Sequence, residues 1–89
     1  MLTVKYRNAF KKDIKRTKKR GKDLRKLKCI TEMIISNKPL PHECQNHLLM
    51  GNYSKHHECH IEPDWLLIYK IEATTVIFER TGSHSDLFK

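Results

Sequence analysis

The stretch that most constrains the fold is WLLIYKIE, residues 65–72, because its first five side chains are apolar at every position. Successive side chains of a strand point to opposite faces, so this strand needs cover on both faces. A strand pattern over residues 56–61 precedes it across the loop EPD, and TVIFERTG follows a tight turn at residues 72–74. The sequence therefore predicts three consecutive antiparallel strands with residues 65–72 at the centre.

Two helix patterns follow a short strand pattern at residues 2–6. Asn8 is the predicted N-cap of the first, which runs to about residue 20 and ends at Gly21. Asp23 is the predicted N-cap of the second, which runs to about residue 36 and stops at Asn37. A connector with at most one helical turn fills residues 38–51. The elements predict one α+β domain over residues 1–89, with the order β-α-α-β-β-β. We expect a mainly antiparallel twisted sheet with the N-terminal helix pair packed on one face.

Charge is divided unevenly along the chain. The net charge is +8, but residues 1–28 contain 13 Lys and Arg against two Asp, a net +11, and the remainder contains 5 basic and 8 acidic residues, a net −3. A dense cationic segment attracts phosphate backbones, whereas a merely solvated helix face is the alternative for any one charge run. The cluster Lys18–Lys19–Arg20 is the predicted site of RNA contact.

The compartment follows from what the sequence lacks. The start has no apolar stretch of signal-peptide length, and the longest apolar run, residues 65–69, is too short for a membrane span. Three cysteines at irregular spacing do not form a disulfide framework. We therefore expect a protein of the reducing cytoplasm with no membrane partner.

A zinc site is one interpretation of the histidines and cysteines in CQNH and HHECH. Cys44, His47, His57, Cys59 and His60 have nitrogen and sulfur ligands at suggestive spacing. However, HHECH runs into a strand pattern, where Cys59 and His60 point to opposite faces. We therefore predict no metal cofactor.

A cluster for acid–base chemistry is the other interpretation. Alternation predicts that Glu58, His60 and Glu62 share the exposed face of their strand, with Asp64 and Trp65 just beyond the turn. In the last strand, alternation groups Arg80 with Val76 and Phe78, and we expect the twist at the strand end to aim Arg80 at the exposed surface. His84 follows in a segment that Gly82 lets fold back.

Metal-free RNA cleavage needs such a set of groups. A base takes the 2′-OH proton, an acid protonates the leaving 5′-oxygen, and a cation stabilises the phosphorane. Histidine suits both proton transfers near neutral pH, and the planar arginine fork suits the phosphate. Phe88 could stack on a base.

The motifs HIEPDW and RTGSH with a terminal Leu-Phe, together with NHLLMG and NAFKKDIKR, resemble the YafQ-type branch of the RelE/ParE toxin superfamily. The resemblance spans nearly the whole chain and implies a RelE-like fold and an mRNA interferase of a type II toxin–antitoxin module, neutralised by a cognate acidic antitoxin. Its mRNA substrate is cut on or off the ribosome, depending on the branch.

The resemblance also implies residue roles. His84 would be the general acid, His60 or Asp64 would supply the base, and Arg80 would bind phosphate. His47 would enter from the loop, Phe88 would stack on or position a base, and Trp65 would be a structural support. Apart from the resemblance, we count Glu58 and Trp65 with Phe88 as candidate substrate-binding residues. Two positions depart from the branch: His57 stands where arginine is common, and Tyr53 where tryptophan is common.

Two other functions compete with RNA cleavage. A ParE-like chain would inhibit DNA gyrase without catalysis, and a plain basic domain would bind nucleic acid with a steep salt dependence but would not cut it. The titratable cluster favours the nuclease, because a binding module gains nothing from such residues in a cleft.

Overall fold

The computed structural model describes residues 1–49 and 55–88, so Gly51 and Tyr53 lie outside the described residues. Its elements in chain order are β1 (Thr3–Tyr6), α1 (Asn8–Lys19), α2 (Leu24–Ile35), a 3-10 turn (His42–Cys44), β2 (His47–Leu48), β3 (His57–Glu62), β4 (Trp65–Glu72), β5 (Thr75–Gly82) and α3 (His84–Leu87).

The strands form one sheet in the order β1-β5-β4-β3-β2. β1 pairs with β5 in parallel, and the other neighbouring pairs are antiparallel. The predicted α+β fold and the central place of β4 are therefore confirmed. The predicted strand count was one too low, because His47–Leu48 pairs with β3 as a fifth strand. Two residues are too few to show a period, which is why the sequence read as a connector.

The helix boundaries follow from local chemistry with one exception. Asp23 caps α2 by accepting the Arg25 N–H at 3.0 Å, and Gly21 ends the first helical segment at a φ of 80°. The prediction of Asn8 as the first N-cap was wrong, because Asn8 is already helical and extended Arg7 is the cap residue. The Arg7 N–H donates to the Phe78 carbonyl oxygen at 3.1 Å, so sheet pairing continues to that residue.

The helix pair covers one face of the sheet, as predicted. Phe10 from α1 and the α2 residues Leu27, Ile30 and Ile34 pack against the sheet. The sheet side of this core consists of Cys59, Trp65, Leu67, Tyr69, Val76 and Phe78. Each large apolar side chain buried here stabilises the fold by about 1.5–3 kcal/mol.

The opposite face is covered only in part. Leu66 and Ile68 of β4 pack against Leu87 of α3, a four-residue helix that the sequence did not predict. The rest of this surface, called the open face below, is the sheet side away from α1 and α2. Within the described residues, no helix is long and apolar enough to cross a membrane.

Two β-bulges change which face some side chains occupy. In β3 the register skips Ile61, so Glu62 pairs with Trp65. In β5 it skips Glu79, so Arg80 pairs with Ile68, one residue away from the pairing of Tyr69 with Phe78. An inserted residue reverses the alternation beyond it. Simple alternation was therefore wrong for Glu62 and for grouping Arg80 with Phe78.

Candidate active site

A row of side chains crosses the open face from β2 to β5. His47 pairs with Glu58, Glu58 with Ile68, and Ile68 with Arg80. Directly paired residues share a face, and their Cβ atoms lie about 4.5–5.5 Å apart in antiparallel strands. His60 pairs with Leu66 in the adjacent row. The sheet thus brings together three of the predicted catalytic residues, with a bulge rather than twist turning Arg80 to this face.

Glu58 connects the histidines of β2 and β3. Its Oε1 lies 2.8 Å from Nε2 of His60 and 3.5 Å from Nε2 of His47. Nδ1 of His47 lies 2.7 Å from the Gln45 carbonyl oxygen, which only accepts, so this nitrogen has the hydrogen. Glu58 is only 7% exposed. Its geometry therefore suits orienting the two imidazoles, in place of the direct substrate contact predicted from the sequence.

Asp64 holds His84 at the entrance to α3. Oδ1 of Asp64 accepts from the His84 backbone N–H at 2.9 Å and lies 2.7 Å from Nδ1 of the same residue. These hydrogen bonds lower the pKa of Asp64 below its ordinary value of 3.8. A carboxylate with a lowered pKa is a weak base at neutral pH. The geometry thus favours Asp64 as the group that orients His84, rather than as the general base.

The short helix α3 is fixed by its own cap. The Ser83 hydroxyl accepts from the Asp86 N–H, and the Asp86 carboxylate accepts from the Ser83 N–H at 2.9 Å. A Cβ at Gly82 would lie 2.9 Å from Oδ2 of Asp86 and 3.0 Å from Nη2 of Arg16. Glycine is therefore needed for the chain to fold back, as expected.

The aromatic rings of the site lie close together. The His84 ring is 6.0 Å from the His60 ring in an edge-on arrangement, and the His47 and His60 rings are 6.3 Å apart. Phe88 is 6.3 Å from His84 and 41% exposed. An exposed ring beside the imidazoles is suitable for stacking on a base, and that role stays a prediction.

The Arg80 guanidinium is anchored to α1. Its Nε and Nη2 donate to Oδ2 and Oδ1 of Asp13 at 2.6 and 3.1 Å. The Arg80 side chain is 26% exposed, whereas that of Asp13 is 4% exposed. A partly exposed, permanently charged guanidinium in the row with Glu58 is suited to bind a phosphate oxygen.

Two candidate residues lie away from the open face. Trp65 is 2% exposed and donates its indole N–H to the Thr81 hydroxyl at 3.0 Å, a position that suits support of the core better than the substrate contact also predicted for it. His57 stacks on Tyr69 on the helix side, with ring centroids 5.2 Å apart, and burial lowers its pKa. A neutral His57 on that face does not act on the cleft phosphate.

The basic cluster at the end of α1 is divided by its contacts. Arg20 donates two hydrogen bonds to Asp86 at 2.6 and 3.1 Å, so it ties α1 to α3. Lys18 and Lys19 are exposed. Their role in RNA contact stays a prediction, and Arg20 has a structural role as well. Glu62 likewise binds Lys22 and Lys26 at 2.7 and 2.8 Å, on the helix side of its bulge.

The ligands of the zinc interpretation are divided between the two faces. Cys44 and Cys59 are buried in the helix-side core, where burial raises the pKa of the Cys59 thiol, whereas His47 and His60 lie on the open face. Within the described part of the chain, one other set could hold a metal: Glu58, His60 and His84 have ligand atoms within 4.8 Å of one another. A metal there would occupy the imidazole nitrogens.

Two acids near the site were missed by the sequence analysis. Asp13 binds Arg80, and Asp86 binds Arg20 and caps α3. A signal for Asp13 existed, since only two acids interrupt the 13 basic residues of the first 28 positions. The burial of Asp13 could not be predicted, because the first helix has too few apolar residues to define its buried face.

A family model settles the affiliation of the chain. The model described as "Bacterial toxin of type II toxin-antitoxin system, YafQ" matches residues 2–89. The chain belongs to the YafQ toxin family.

Relatives of known sequence and structure agree with this membership of the YafQ family. The mRNA interferase toxin YafQ of Escherichia coli K12 is 42% identical over 86 residues, covering 96% of this chain and 94% of the relative. The E. coli DinJ–YafQ complex matches with a TM-score of 0.93 at 40% identity, covering all of both chains. A metal-bound toxin from Helicobacter pylori matches with a TM-score of 0.92 at 38% identity, covering 99% of this chain and 100% of that one. The predicted RelE-like α+β fold is confirmed.

Proposed function

We propose that this YafQ-family toxin is an mRNA interferase, a metal-independent endoribonuclease that stops translation by cutting mRNA. One observation carries the proposal: two imidazole–carboxylate pairs, Glu58–His60 and Asp64–His84, face each other with their rings 6.0 Å apart. Two oriented imidazoles across a gap of this size can act on the two sides of one phosphodiester. The name of the E. coli relative, an mRNA interferase, supports the same conclusion.

His84 is the general acid in this proposal. Asp64 accepts the Nδ1 hydrogen of His84, so Nε2 is the nitrogen that delivers a proton to the leaving 5′-oxygen. The backbone hydrogen bond to the same carboxylate oxygen fixes the ring relative to the sheet.

His60 is the general base. Glu58 accepts the Nε2 hydrogen of His60, which leaves Nδ1 of the neutral ring to take the 2′-OH proton. The 2′-oxygen then attacks phosphorus as the bond from phosphorus to the 5′-oxygen breaks. His47, whose Nδ1 hydrogen is held by the Gln45 carbonyl, adds a second imidazole beside the same carboxylate.

Arg80 stabilises the negative charge that develops on the phosphorane oxygens, and Phe88 stacks on a neighbouring base. The guanidinium shares a row of the sheet with Glu58, so phosphate bound there lies near both proton-transfer groups. Fixed donors aimed at developing charge usually contribute the largest single share of such catalysis.

The partner that controls the toxin is an acidic antitoxin, and the place of action is the cytoplasm, where mRNA is translated. The E. coli relative was crystallised as a DinJ–YafQ complex. A surface with 13 basic residues in its first 28 is complementary to an acidic chain. Co-expression with the cognate antitoxin should restore growth, and the two proteins should co-purify.

The decisive experiment maps new 5′ ends in cellular mRNA after brief induction of the toxin. Wild type should produce cuts that His84→Ala does not. Cuts in frame with codons would indicate cleavage on the ribosome, and cuts at base-defined sites in any frame would indicate cleavage of free RNA. His42→Ala is the matched control, since His42 is an exposed histidine of the 3-10 turn outside the site.

Toxicity without new 5′ ends would overturn the proposal and favour a ParE-like inhibitor of DNA gyrase. A supercoiling assay would then show inhibition that survives His84→Ala. Salt-sensitive RNA binding without cleavage products would favour a plain nucleic-acid-binding domain.

A further inference from the structure

We propose that Asp13 is a positioning residue for RNA cleavage, which acts by holding the Arg80 guanidinium in the orientation that binds the substrate phosphate. The inference rests on the proposed nuclease function. Asp13 lies on α1, whereas the proposed proton-transfer residues His60 and His84 lie on β3 and α3. Its carboxylate reaches Arg80 over a sequence separation of 67 residues.

Asp13 lies at the edge of the sheet, beside the end of β5. β1 pairs with β5 only as far as Phe78, and the Arg7 N–H makes the next bond to that strand. Beyond this point no strand among residues 1–49 and 55–88 pairs with this edge of β5. Oδ2 of Asp13 accepts the Thr81 N–H at 3.1 Å there. The carboxylate is therefore fixed to the backbone of the residue that follows Arg80.

The Asp13 carboxylate accepts as many hydrogen bonds as it has lone-pair sites. An ionised carboxylate offers about four lone-pair sites. Asp13 receives four donors: Nε and Nη2 of Arg80, Nη2 of Arg16 at 2.8 Å and the Thr81 N–H. With the side chain 4% exposed, water contributes little to its solvation. The geometry leaves Asp13 little freedom to rotate.

The fixed carboxylate in turn orients the Arg80 guanidinium. Asp13 engages the Nε–Nη2 edge of the guanidinium, which fixes the plane of the fork. The edge formed by Nη1 and Nη2 is the one that binds phosphate in this proposal. Without Asp13, the side chain would gain rotamer freedom and lose this preorganisation, because long charged side chains are costly to order.

Asp13 belongs to a cluster of charged side chains in which its contacts differ from those of Asp86. Arg16 also contacts Asp86, at 3.7 Å, and so connects Asp13 to the helix that contains His84. Asp86 accepts two hydrogen bonds from Arg20 and caps α3. Asp13 accepts two from Arg80, so it is the acid whose replacement tests the orientation of the Arg80 guanidinium.

The test is a double-mutant cycle on single-turnover cleavage of an RNA oligonucleotide, using wild type, Asp13→Asn, Arg80→Ala and the double variant. Asp13→Asn keeps the shape of the side chain and removes its charge. It should lower the cleavage rate on the order of 100-fold, the effect of misplacing a catalytic group by about 1 Å. In the Arg80→Ala background, the same change should have no further effect, because Asp13 acts through Arg80.

Phe10→Leu is the matched control for lost packing on the same helix, since Phe10 is buried one turn before Asp13 and contacts Tyr6 and Phe78. It should lower the thermal midpoint without changing the cleavage rate. If Asp13→Asn does not fold, Asp13→Glu replaces it, because it keeps the charge and displaces the carboxylate by one methylene.

The outcomes distinguish this inference from the proposed function. Wild type that does not cut RNA would overturn the proposed function and the inference with it. Wild type that cuts, with losses from Asp13→Asn and Arg80→Ala that multiply in the double variant, would overturn the positioning role alone. Asp13→Asn at the wild-type rate would do the same. A binding assay with a 2′-deoxy oligonucleotide supports the role if Asp13→Asn and Arg80→Ala weaken affinity equally and not additively.

Discussion

The His84 imidazole and the Asp64 carboxylate are 2.7 Å apart at the entrance to α3, and the same carboxylate oxygen accepts the His84 backbone N–H at 2.9 Å. This double attachment fixes both the ring and the helix start of the proposed general acid. It joins the turn before β4 to the segment after β5, which are adjacent only in the folded sheet.

Asp64→Asn should reduce RNA cleavage about 100-fold, the lower end of what a positioned general acid contributes. The amide can still accept the backbone hydrogen bond, but it lacks the carboxylate charge that holds the His84 ring in place. Single-turnover cleavage measures the loss. Glu72→Gln removes an acid at the far end of β4, where Glu72 pairs with Lys70, and should leave the rate unchanged. An Asp64→Asn rate within twofold of wild type would contradict the role.

Arg80→Ala should cost about 2.7–4 kcal/mol of transition-state stabilisation, the effect of removing one charge-stabilising donor. The loss should appear in the cleavage rate of bound substrate. Arg25→Ala is a suitable control, since the Arg25 side chain is 91% exposed and pairs with Asp23 at the start of α2. Cleavage by Arg80→Ala close to that of the control would exclude Arg80 as the phosphate-binding group.

Changing both Lys18 and Lys19 to Glu should weaken RNA or ribosome binding more than it slows turnover of bound substrate. Each lost phosphate contact should lower the slope of log affinity against log salt by roughly 0.7 for single-stranded RNA. Changing Lys38 and Lys55 to Glu alters the net charge equally, away from the helix pair, and serves as the control. A defect confined to turnover would rule out a binding role for the α1 lysines.

Acid should remove the link between α1 and α3. The hydrogen bonds from Arg20 hold the pKa of Asp86 well below its ordinary value of 3.8. A lowered folded-state pKa means that the ionised pair stabilises the fold above about 3.8 and that this stability is lost as pH falls through the lower folded-state value. The thermal midpoint of Asp86→Asn should therefore lie below that of wild type at pH 7, and the difference should shrink in strong acid. A difference that is constant with pH would contradict this origin.

Transition-metal ions should inhibit cleavage rather than support it. Glu58, His60 and His84 could hold Zn²⁺ or Cu²⁺, which prefer imidazole ligands, and a bound ion would take one nitrogen of each imidazole and fix both rings. Excess EDTA should leave the cleavage rate of purified protein unchanged, added Zn²⁺ should lower it, and Mg²⁺ should not. If EDTA abolishes cleavage and Zn²⁺ restores it, the metal-independent mechanism is wrong.

Most of the fold could be predicted from local patterns. The apolar run of β4 required a central strand, and the caps at Asp23 and Gly21 marked the helix pair, because these signals depend on neighbouring residues only. The strand β2 and the helix α3 were not predicted, because elements of two and four residues are too short to show a period. β2 is formed by pairing with β3, and α3 is formed by its capping box together with the packing of Leu87 against the sheet.

The candidate site was predicted only in part. Its residue types could be identified from the sequence, and the structure brings His60, Asp64 and His84 close together, while their roles stay a prediction. The contacts between these residues could not be predicted in the same way. Glu58 was expected to contact substrate, but its carboxylate lies against His60, and Trp65 is buried on the other face of the sheet. Asp13 was missed because Arg80 and Thr81, the partners that bring it to the site, are far away in sequence.

The sequence by itself determined the periodicity of the strands and helices, their caps and the titratable groups available for chemistry. The tertiary structure decided which of those groups meet. A skipped residue at Glu79 turns Arg80 to the open face, and the β1 edge of β5 beyond Phe78, where the pairing with β1 has ended, brings in Asp13. Bulges and strand edges depend on the partner strand, so the residues of one strand alone do not reveal them.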